Sequence, residues 1–586
     1  MLKQSFKVCL CWRRIFKTRV VEPPLDVKNV FYRYSPGGMM TIDELLRFLI
    51  EHQGEQNATK EDAQAIFDSL KHLNIFHRRG LHLEAFFRYL LGDHNLAHPP
   101  SQKVHHDMDA PLAHYFLFTG HNSYLTGNQL SSASSVEPIK DALLKGVRVI
   151  ELDLWPNSKG KDVEVRHGGT LTSPVDLQKC LQAIKENAFT NSEYPVVITF
   201  EDHLNSNLQK KVAKMVKETF EEMLYCTKSE NLEEFPSPEF LKKKVLISTK
   251  PPKEYLEGET IVEKKWKKSK SRAGEDVSEN ESATARNEHQ TSRQQNPPDE
   301  AEHVPDEDEE KAVNQYRELI AIHAGKLKGG LENWLSDDPN KVRRLSLSEQ
   351  ELENATKTHG TEIVRFTQRN LLRVYPKGTR LDSSNYNPFV GWMHGAQMVA
   401  FNMQGYGKHL WIMKGMFKAN GGCGYVKKPD FLLQRGPNDE VFNPYDEFSV
   451  KTVMTVKVIL GEGWHQDFPH TAFDRYSPPD FYTRIGIAGI PADRDLKETE
   501  KIEDEWLPVW NEEFEFLLRV PELAVLRIEV LEYDTTGRPD FGGQTCLPVS
   551  ELTTGIRTVP LHSKKGDKYK HVRLLLSIKF GLPYDF

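Results

Sequence analysis

Residues 147–155 read VRVIELDLW, and this stretch decides the fold. It is short, aliphatic and rich in β-branched residues, which reads as a buried strand rather than a helix. Glu151 and Asp153 stand two apart on it, so their side chains share one face. Comparable runs flank it: FLFT (116–119), VEVRHG (163–168), VVITF (196–200) and VLIST (245–249). Helical stretches separate them, among them DLQKCLQAIKENAF (176–189) and LQKKVAKMVKETFEEML (208–224). Farther on come LLRVYP (371–376), QMVAFNMQ (397–404) and a GGCGYV turn (421–426) leading to FLL. Alternating β and α in two blocks predicts a parallel sheet, and about eight strands predict a barrel of the TIM type.

Active sites of such barrels gather at the carboxyl ends of the strands. The first four runs each end in chemistry-bearing residues: His121–Asn122, Glu151 and Asp153, His167, and Glu201. Glu151, Asp153, Glu201 and the Asn122 amide oxygen make a hard-oxygen set suited to calcium. Histidine is a poor ligand for that ion, so His121 and His167 read as proton donors and acceptors. One strand-end carboxylate is usually a cap or a surface charge; four consecutive strand ends point to chemistry.

The chain has 586 residues, with 77 Lys+Arg against 84 Asp+Glu and a net charge of −7, so it carries no overall basic footprint for nucleic acid. At 38% hydrophobic and 10% aromatic it can build several cores. No apolar run is long enough to span a bilayer. The six cysteines are scattered, which fits a reducing compartment. The stretch 257–311 holds a basic block, KKWKKSKSR (264–272), and an acidic one, DEAEHVPDEDEE (299–310), and reads as a linker. That linker is either a self-masking loop over a lipid-facing surface or a plain solvated spacer. Two helix–loop–helix patterns occupy about 27–92; the loop YSPGGMMTIDELL puts Arg33, Ser35 and Gly37 where calcium would need oxygen ligands, so structural packing is expected. From about Ser449 onward, period-two segments such as KTVMTVKVIL and LRIEVLEYD predict an antiparallel β-sandwich.

The strings GHNSYLTGNQL, VRVIELDLW, RHGGTLTS and FEDH, in that order, closely resemble the catalytic X region of the eukaryotic phosphoinositide-specific phospholipases C. LRVYPKGTRLDSSNYNP with GGCGYVKKPDFL resembles the family's Y region. The layout is similar to the plant group, without a pleckstrin-homology domain. The resemblance implies a multidomain chain: a basic arm (1–26), an EF-hand-like helical region (27–104), X (105–252), a charged linker (253–330), Y (331–437) and an all-β C2 domain (438–586). X and Y would form one split (β/α)8 barrel. It also implies calcium-dependent cleavage of phosphatidylinositol 4,5-bisphosphate to diacylglycerol and inositol trisphosphate, in a cytoplasmic protein that meets the plasma membrane peripherally.

Carried over residue by residue, Asn122, Glu151, Asp153 and Glu201 would bind calcium, with a nearby carboxylate, Glu151 or Glu201, taking the 2-hydroxyl proton. His121 would hydrogen-bond the phosphoryl oxygens and His167 would protonate the departing diacylglycerol oxygen. Lys250, Ser346, Arg373 and Tyr375 match the family's headgroup contacts, while Ser248 stands where a second phosphate-binding lysine is expected. Ser346 can equally be read as a helix N-cap ahead of Glu349. Leu130 and Leu171 are the candidates for an apolar rim. In the sandwich, Asp480, Glu532, Asp534 and Asp540 resemble the calcium loops of a C2 domain, with Glu503, Asp504 and Glu505 in the middle loop, and would dock it on anionic lipid. Cys9 and Cys11 beside a basic patch are candidates for acylation, with an ordinary solvated arm as the alternative. Two rival readings remain: a catalytically silent lipid-binding scaffold, and another barrel phosphodiesterase such as a glycerophosphodiesterase. The first would need a broken constellation. The second would require neither the Ser346–Arg373–Tyr375 set nor the sandwich.

Overall fold

The computed structural model describes residues 3–7, 13–17, 22–71, 80–99, 103–227, 232–252, 314–325, 330–336, 338, 341–474, 476–534 and 537–583. The charged blocks at 264–272 and 299–310, and Cys9 and Cys11, lie outside the described residues.

An antiparallel strand pair, Lys3–Lys7 with Arg13–Lys17, lies in the amino-terminal arm, and four helices follow it: α1 (Leu25–Tyr34), α2 (Ile42–Glu51), α3 (Lys60–Ser69) and α4 (Leu83–Leu91). Thr41 and Thr59 start α2 and α3 with capping boxes closed by Glu44 and Asp62, which satisfies helix-end N–H groups that would otherwise lack partners. The two loops are joined by a short antiparallel bridge between Met40 and Leu81. Phe31, Phe48 and Phe86 form the core of this region, and Ile459, Leu460, Ile556 and Leu575 of the sandwich complete it. Arg557 reaches across to Glu55 at 2.6 Å.

Eight parallel strands form the barrel: β1 (Thr119–Gly120), β2 (Val149–Pro156), β3 (Val196–Asp202), β4 (Val245–Thr249), β5 (Ile320–His323), β6 (Arg344–Ser348), β7 (Leu371–Tyr375) and β8 (Met398–Phe401). They run β5-β4-β3-β2-β1-β8-β7-β6, and a parallel bridge from Ala324 to Arg344 closes β5 onto β6. Helices α5 (Glu137–Leu144), α6 (Leu177–Asn187), α7 (Ser206–Phe220), α8 (Glu349–Thr367) and α9 (Lys408–Met416) run between or after the strands. Their apolar faces join the strands in one large core.

Two expectations need correction. VEVRHG is no barrel strand: Val163–Val165 pairs antiparallel with β2 and forms a hairpin with Val175–Asp176. His167 therefore sits on an excursion from β2, and the four consecutive strand ends become three plus a hairpin. The linker span 253–330 also runs too far, since Ile320–His323 is β5 and carries half of the barrel's closure. The GGCGYV turn leads to a strand, Tyr425–Lys427, which pairs antiparallel with Tyr115–Leu117 outside the barrel.

The carboxyl-terminal unit comprises β9 (Thr452–Glu462), β10 (Phe481–Ala488), β11 (Asp495–Glu498), β12 (Val509–Leu518), β13 (Val525–Glu532), β14 (Asp540–Pro548), β15 (Gly555–His562) and β16 (Lys568–Gly581). The order is β11-β10-β13-β14-β15-β16-β9-β12, but β14 and β15 share only the Gln544–His562 pair. Two four-stranded layers thus face each other across a core that includes Trp464, Phe481 and Trp506, as expected of a sandwich.

Candidate active site

Asn122 adopts a left-handed conformation, φ +44°, directly after β1. Asparagine is among the few residues that tolerate this. The turn brings its backbone N–H to Glu151 Oε2 at 3.3 Å. Its side-chain amide nitrogen donates to Gln129 Oε1 at 3.1 Å. Glu151 and Asp153 sit in β2 and are buried. Parallel register sets Asp153 beside Glu201 of β3. One oxygen from each of Glu151, Asp153 and Glu201 lies within 4.8 Å of the others.

Three carboxylates this close, two of them buried, repel one another. Burial, then the charges of Glu151 and Glu201, push the Asp153 carboxyl well above its usual range. Tyr124 Oη donates to Asp153 Oδ2 at 2.8 Å, while Oδ1 is buried without a hydrogen-bond partner. Burial also favours the neutral form of Glu151, but the Arg373 guanidinium, His121 and the Asn122 N–H outweigh it and hold that carboxyl low. Arg373 of β7 forms an ion pair with Glu151. A donor set of this kind could hold a divalent cation with oxygen preference.

The two histidines flank this set. His121 Nε2 lies 3.9 Å from Glu151 Oε2, and Nδ1 meets Asn402 Oδ1 at 2.9 Å, just past β8. Burial, opposed by Glu151 and aided by Arg373, pushes the His121 imidazole toward its neutral form. His167 Nδ1 meets the backbone oxygen of Gln129 at 2.7 Å. The His167 loop lies against the Trp155 indole, and Gly168 makes that approach possible: a Cβ there would fall 2.0 Å from Trp155 Cζ2. His203 stacks on the same indole with ring centroids 4.0 Å apart, and its Nε2 lies 3.0 Å from Glu201 Oε1.

The remaining expected contacts come from the strands after β3. Arg373 lies 5.4 Å from the centroid of the Tyr375 ring. Ser346 is half-buried within β6, and the N-cap of α8 is Ser348, whose capping box is closed by Glu351; the N-cap reading of Ser346 is thereby overturned. Lys250 is exposed just past β4. Ser248 is buried, and its hydroxyl donates to Ile322 O at 3.1 Å. Arg344 is a buried cation the sequence did not single out; burial and Arg373 lower it to about 9. At the mouth, Leu171 is 86% exposed and Leu130 44%, joined by a 2.8 Å backbone hydrogen bond. Leu381, 43% exposed, adds a third apolar side chain, and its carbonyl accepts from the Gln129 backbone N–H.

The family models of phosphatidylinositol-specific phospholipase C match here in order: the X domain over residues 108–251 and the Y domain over 320–431. The phospholipase C EF-hand-like model covers 22–96, and a C2 domain covers 452–564. Phosphoinositide phospholipase C 2 of Arabidopsis thaliana is 58% identical over 99% of this chain and 100% of its own length. This chain belongs to the phosphoinositide phospholipases C. A mouse relative, 1-phosphatidylinositol 4,5-bisphosphate phosphodiesterase delta-3, is 34% identical over 96% of the chain and 69% of its own length. The crystal structure of L. pealei PLC21 superposes with a TM-score of 0.72 at 26% identity, covering 95% of this chain and 68% of that one. The enzyme is therefore a phosphoinositide phospholipase C with a split barrel, an EF-hand-like region and a C2 domain.

In the C2 domain of this phospholipase, Asp480 precedes β10, and Glu532 and Asp540 pair across β13 and β14. The Asp504 N–H donates to Asp480 Oδ1 at 2.8 Å, so the middle loop faces the same end. Burial and the carboxylates of Asp540, Asp474, Asp480 and Asp534 push Glu532 up to about 7. Asp474 belongs to this acidic end, and sequence spacing gave no hint of it. Among the described residues, no helix is long and apolar enough to cross a membrane.

Proposed function

We propose that this phospholipase C cleaves phosphatidylinositol 4,5-bisphosphate at its barrel mouth, with calcium held by Asn122, Glu151, Asp153 and Glu201. The observation that carries this is the buried, unpartnered Asp153 Oδ1 among three converging carboxylates. Without a cation that arrangement costs desolvation and repulsion together. Calcium bound there lowers the pKa of the inositol 2-hydroxyl and neutralises phosphate charge. Around it the chain's own groups act. A carboxylate of the set, Glu151 or Glu201, accepts the 2-hydroxyl proton. His121, with Nδ1–H on Asn402, takes up a proton on Nε2 as the anionic phosphate enters and donates it to the phosphoryl oxygens. His167, acting as the imidazolium with Nδ1–H on the Gln129 carbonyl, gives its Nε2 proton to the departing diacylglycerol oxygen, and a cyclic phosphodiester forms. His167 then takes a proton from water, the water oxygen bonds to phosphorus, and the bond to the 2-oxygen breaks as the carboxylate returns its proton to it.

Arg373 and Tyr375 border the headgroup: the guanidinium for phosphate, the phenol ring for the inositol face. Lys250 and Ser346 complete the set. The burial of Ser248 leaves a hydroxyl engaged with Ile322 O where a second lysine would grip phosphate, which weakens discrimination among phosphoinositides. The acidic end of the sandwich supports calcium-dependent docking on anionic lipid at the plasma membrane, with Leu130 and Leu171 entering the bilayer surface. The charged linker between the X and Y regions keeps two readings from its sequence, a cover over this face or a solvated spacer, and the first makes a prediction. Deleting residues 299–310 is then expected to raise hydrolysis on vesicles more than on detergent-dispersed substrate; equal rates would make it a spacer. The test of the calcium assignment is binding measured by calorimetry for wild type and Asp153→Asn, where loss of the tightest site is expected and unchanged binding contradicts it.

A further inference from the structure

Two neutral amides lie behind the histidines, and their hydrogen bonds leave one orientation each. Ser383, held at φ +59°, donates its hydroxyl hydrogen to Gly127 O at 2.8 Å, so its oxygen accepts from Gln129 Nε2 at 2.8 Å. Gln129 Oε1 accepts from Asn122 Nδ2. Gln129 Nε2 also donates to Asn402 Oδ1 at 3.1 Å, and Asn402 Nδ2 donates to Ser384 O at 3.3 Å. Turning either amide over would set oxygen against oxygen. Asn402 Oδ1 therefore faces His121 Nδ1 as an acceptor, so that nitrogen carries the hydrogen. The backbone oxygen of Gln129 imposes the same tautomer on His167. Both imidazoles are thus anchored through Nδ1–H, so that Nε2 is the nitrogen that takes up a proton and presents it to the phosphate. Asn402 and Gln129 are buried, which shields these bonds from competition by water.

We propose that Asn402, oriented by the Gln129 side-chain amide, is a positioning residue that fixes the tautomer and aim of His121 across the joint between the X and Y halves, while the Gln129 backbone carbonyl anchors His167. This rests on the roles assigned to the two histidines above. Both amides are buried and spend their polar atoms on protein partners, so their work lies in orientation.

The test uses full-length enzyme with Asn402→Leu, Gln129→Leu and Asn402→Asp, each checked for an unchanged melting curve. Asn402→Leu is expected to lower kcat about 10–100-fold while KM moves little. Asn402→Asp keeps an acceptor opposite His121 and is expected to retain more activity than Asn402→Leu. Nitrogen-15 spectra of labelled histidine should show His121 leaving the Nδ1–H form in Asn402→Leu, a change that a merely structural role would not produce. In the background of His121→Ala, adding Asn402→Leu should cost no more than about 2-fold. A folded Asn402→Leu with wild-type kcat, or full additivity with His121→Ala, overturns the proposal. If Asn402→Leu does not fold, Gln129→Leu, which removes the donor that orients the Asn402 amide but leaves the backbone carbonyl on His167, carries the test: a lower kcat with an altered His121 signal and an unchanged His167 signal is expected, and wild-type kcat with both signals unchanged overturns the proposal. An active His121→Ala would instead overturn the assignment of that histidine, which keeps the two failures distinguishable.

Discussion

Tyr124 Oη donates to Asp153 Oδ2 at 2.8 Å, and this single bond decides which oxygen of Asp153 remains for a cation. The phenol is itself buried, and burial together with Asp153 raises it well above its usual range, so it stays a donor. Tyr124→Phe leaves both oxygens of a buried carboxylate unpartnered. The calcium concentration for half-maximal activity is expected to rise about 10-fold, with kcat at saturating calcium close to wild type. A calcium titration of vesicle hydrolysis checks this.

The Arg373–Glu151 ion pair ties a proposed headgroup contact to a proposed calcium ligand. Arg373→Lys keeps the charge but loses the planar fork. Hydrolysis of phosphatidylinositol 4,5-bisphosphate should fall about 10-fold more than hydrolysis of phosphatidylinositol, since an Arg–phosphate fork contributes energy and geometry together. Equal losses on the two lipids would place Arg373 with calcium alone.

Leu171 and Leu130 stand exposed and joined at the mouth, and the proposed lipid contact would take them out of water. Leu171→Asp is expected to cut activity on bilayer vesicles about 10-fold and to leave a short-chain, water-soluble substrate unaffected. Comparing the two substrates at fixed calcium reads the effect.

Glu551 joins three parts of the molecule. Its carboxylate meets His98 at 3.3 Å, His105 at 3.4 Å and His106 at 3.5 Å, and accepts the Asn420 N–H at 2.7 Å. Burial opposes ionisation, but the His106 and His98 hydrogen bonds and the Asn420 N–H hold it down at about 2. A carboxyl depressed in the folded state contributes stability above its unfolded pKa and loses it as pH falls toward the folded one. Glu551→Gln should therefore lower Tm at pH 7 by several degrees, and the difference from wild type should shrink as pH falls from about 4.5 toward 2. Melting curves across pH measure it.

The acid and histidine motifs were legible because charge on a buried strand is rare and its period shows. VRVIELDLW and FEDH declared both their strands and their chemistry. VEVRHG misled because period two marks any strand, and only pairing reveals that it turns back antiparallel to β2. IAIH, as β5, was hidden by brevity and by the charged residues around it. Gln129 and Asn402 escaped notice for another reason. Neutral amides leave no charge pattern, and these two meet only when β1 and β8 close beside each other. Glu551 and its histidines, likewise, are separated by more than 440 residues in sequence.

The most direct measurement is hydrolysis of labelled phosphatidylinositol 4,5-bisphosphate in vesicles across a calcium series, for wild type and His121→Ala. The account predicts turnover that rises with calcium, vanishes on chelation, and falls at least about 100-fold in His121→Ala at every calcium level. Turnover that persists without calcium, or that survives the loss of His121, would contradict it.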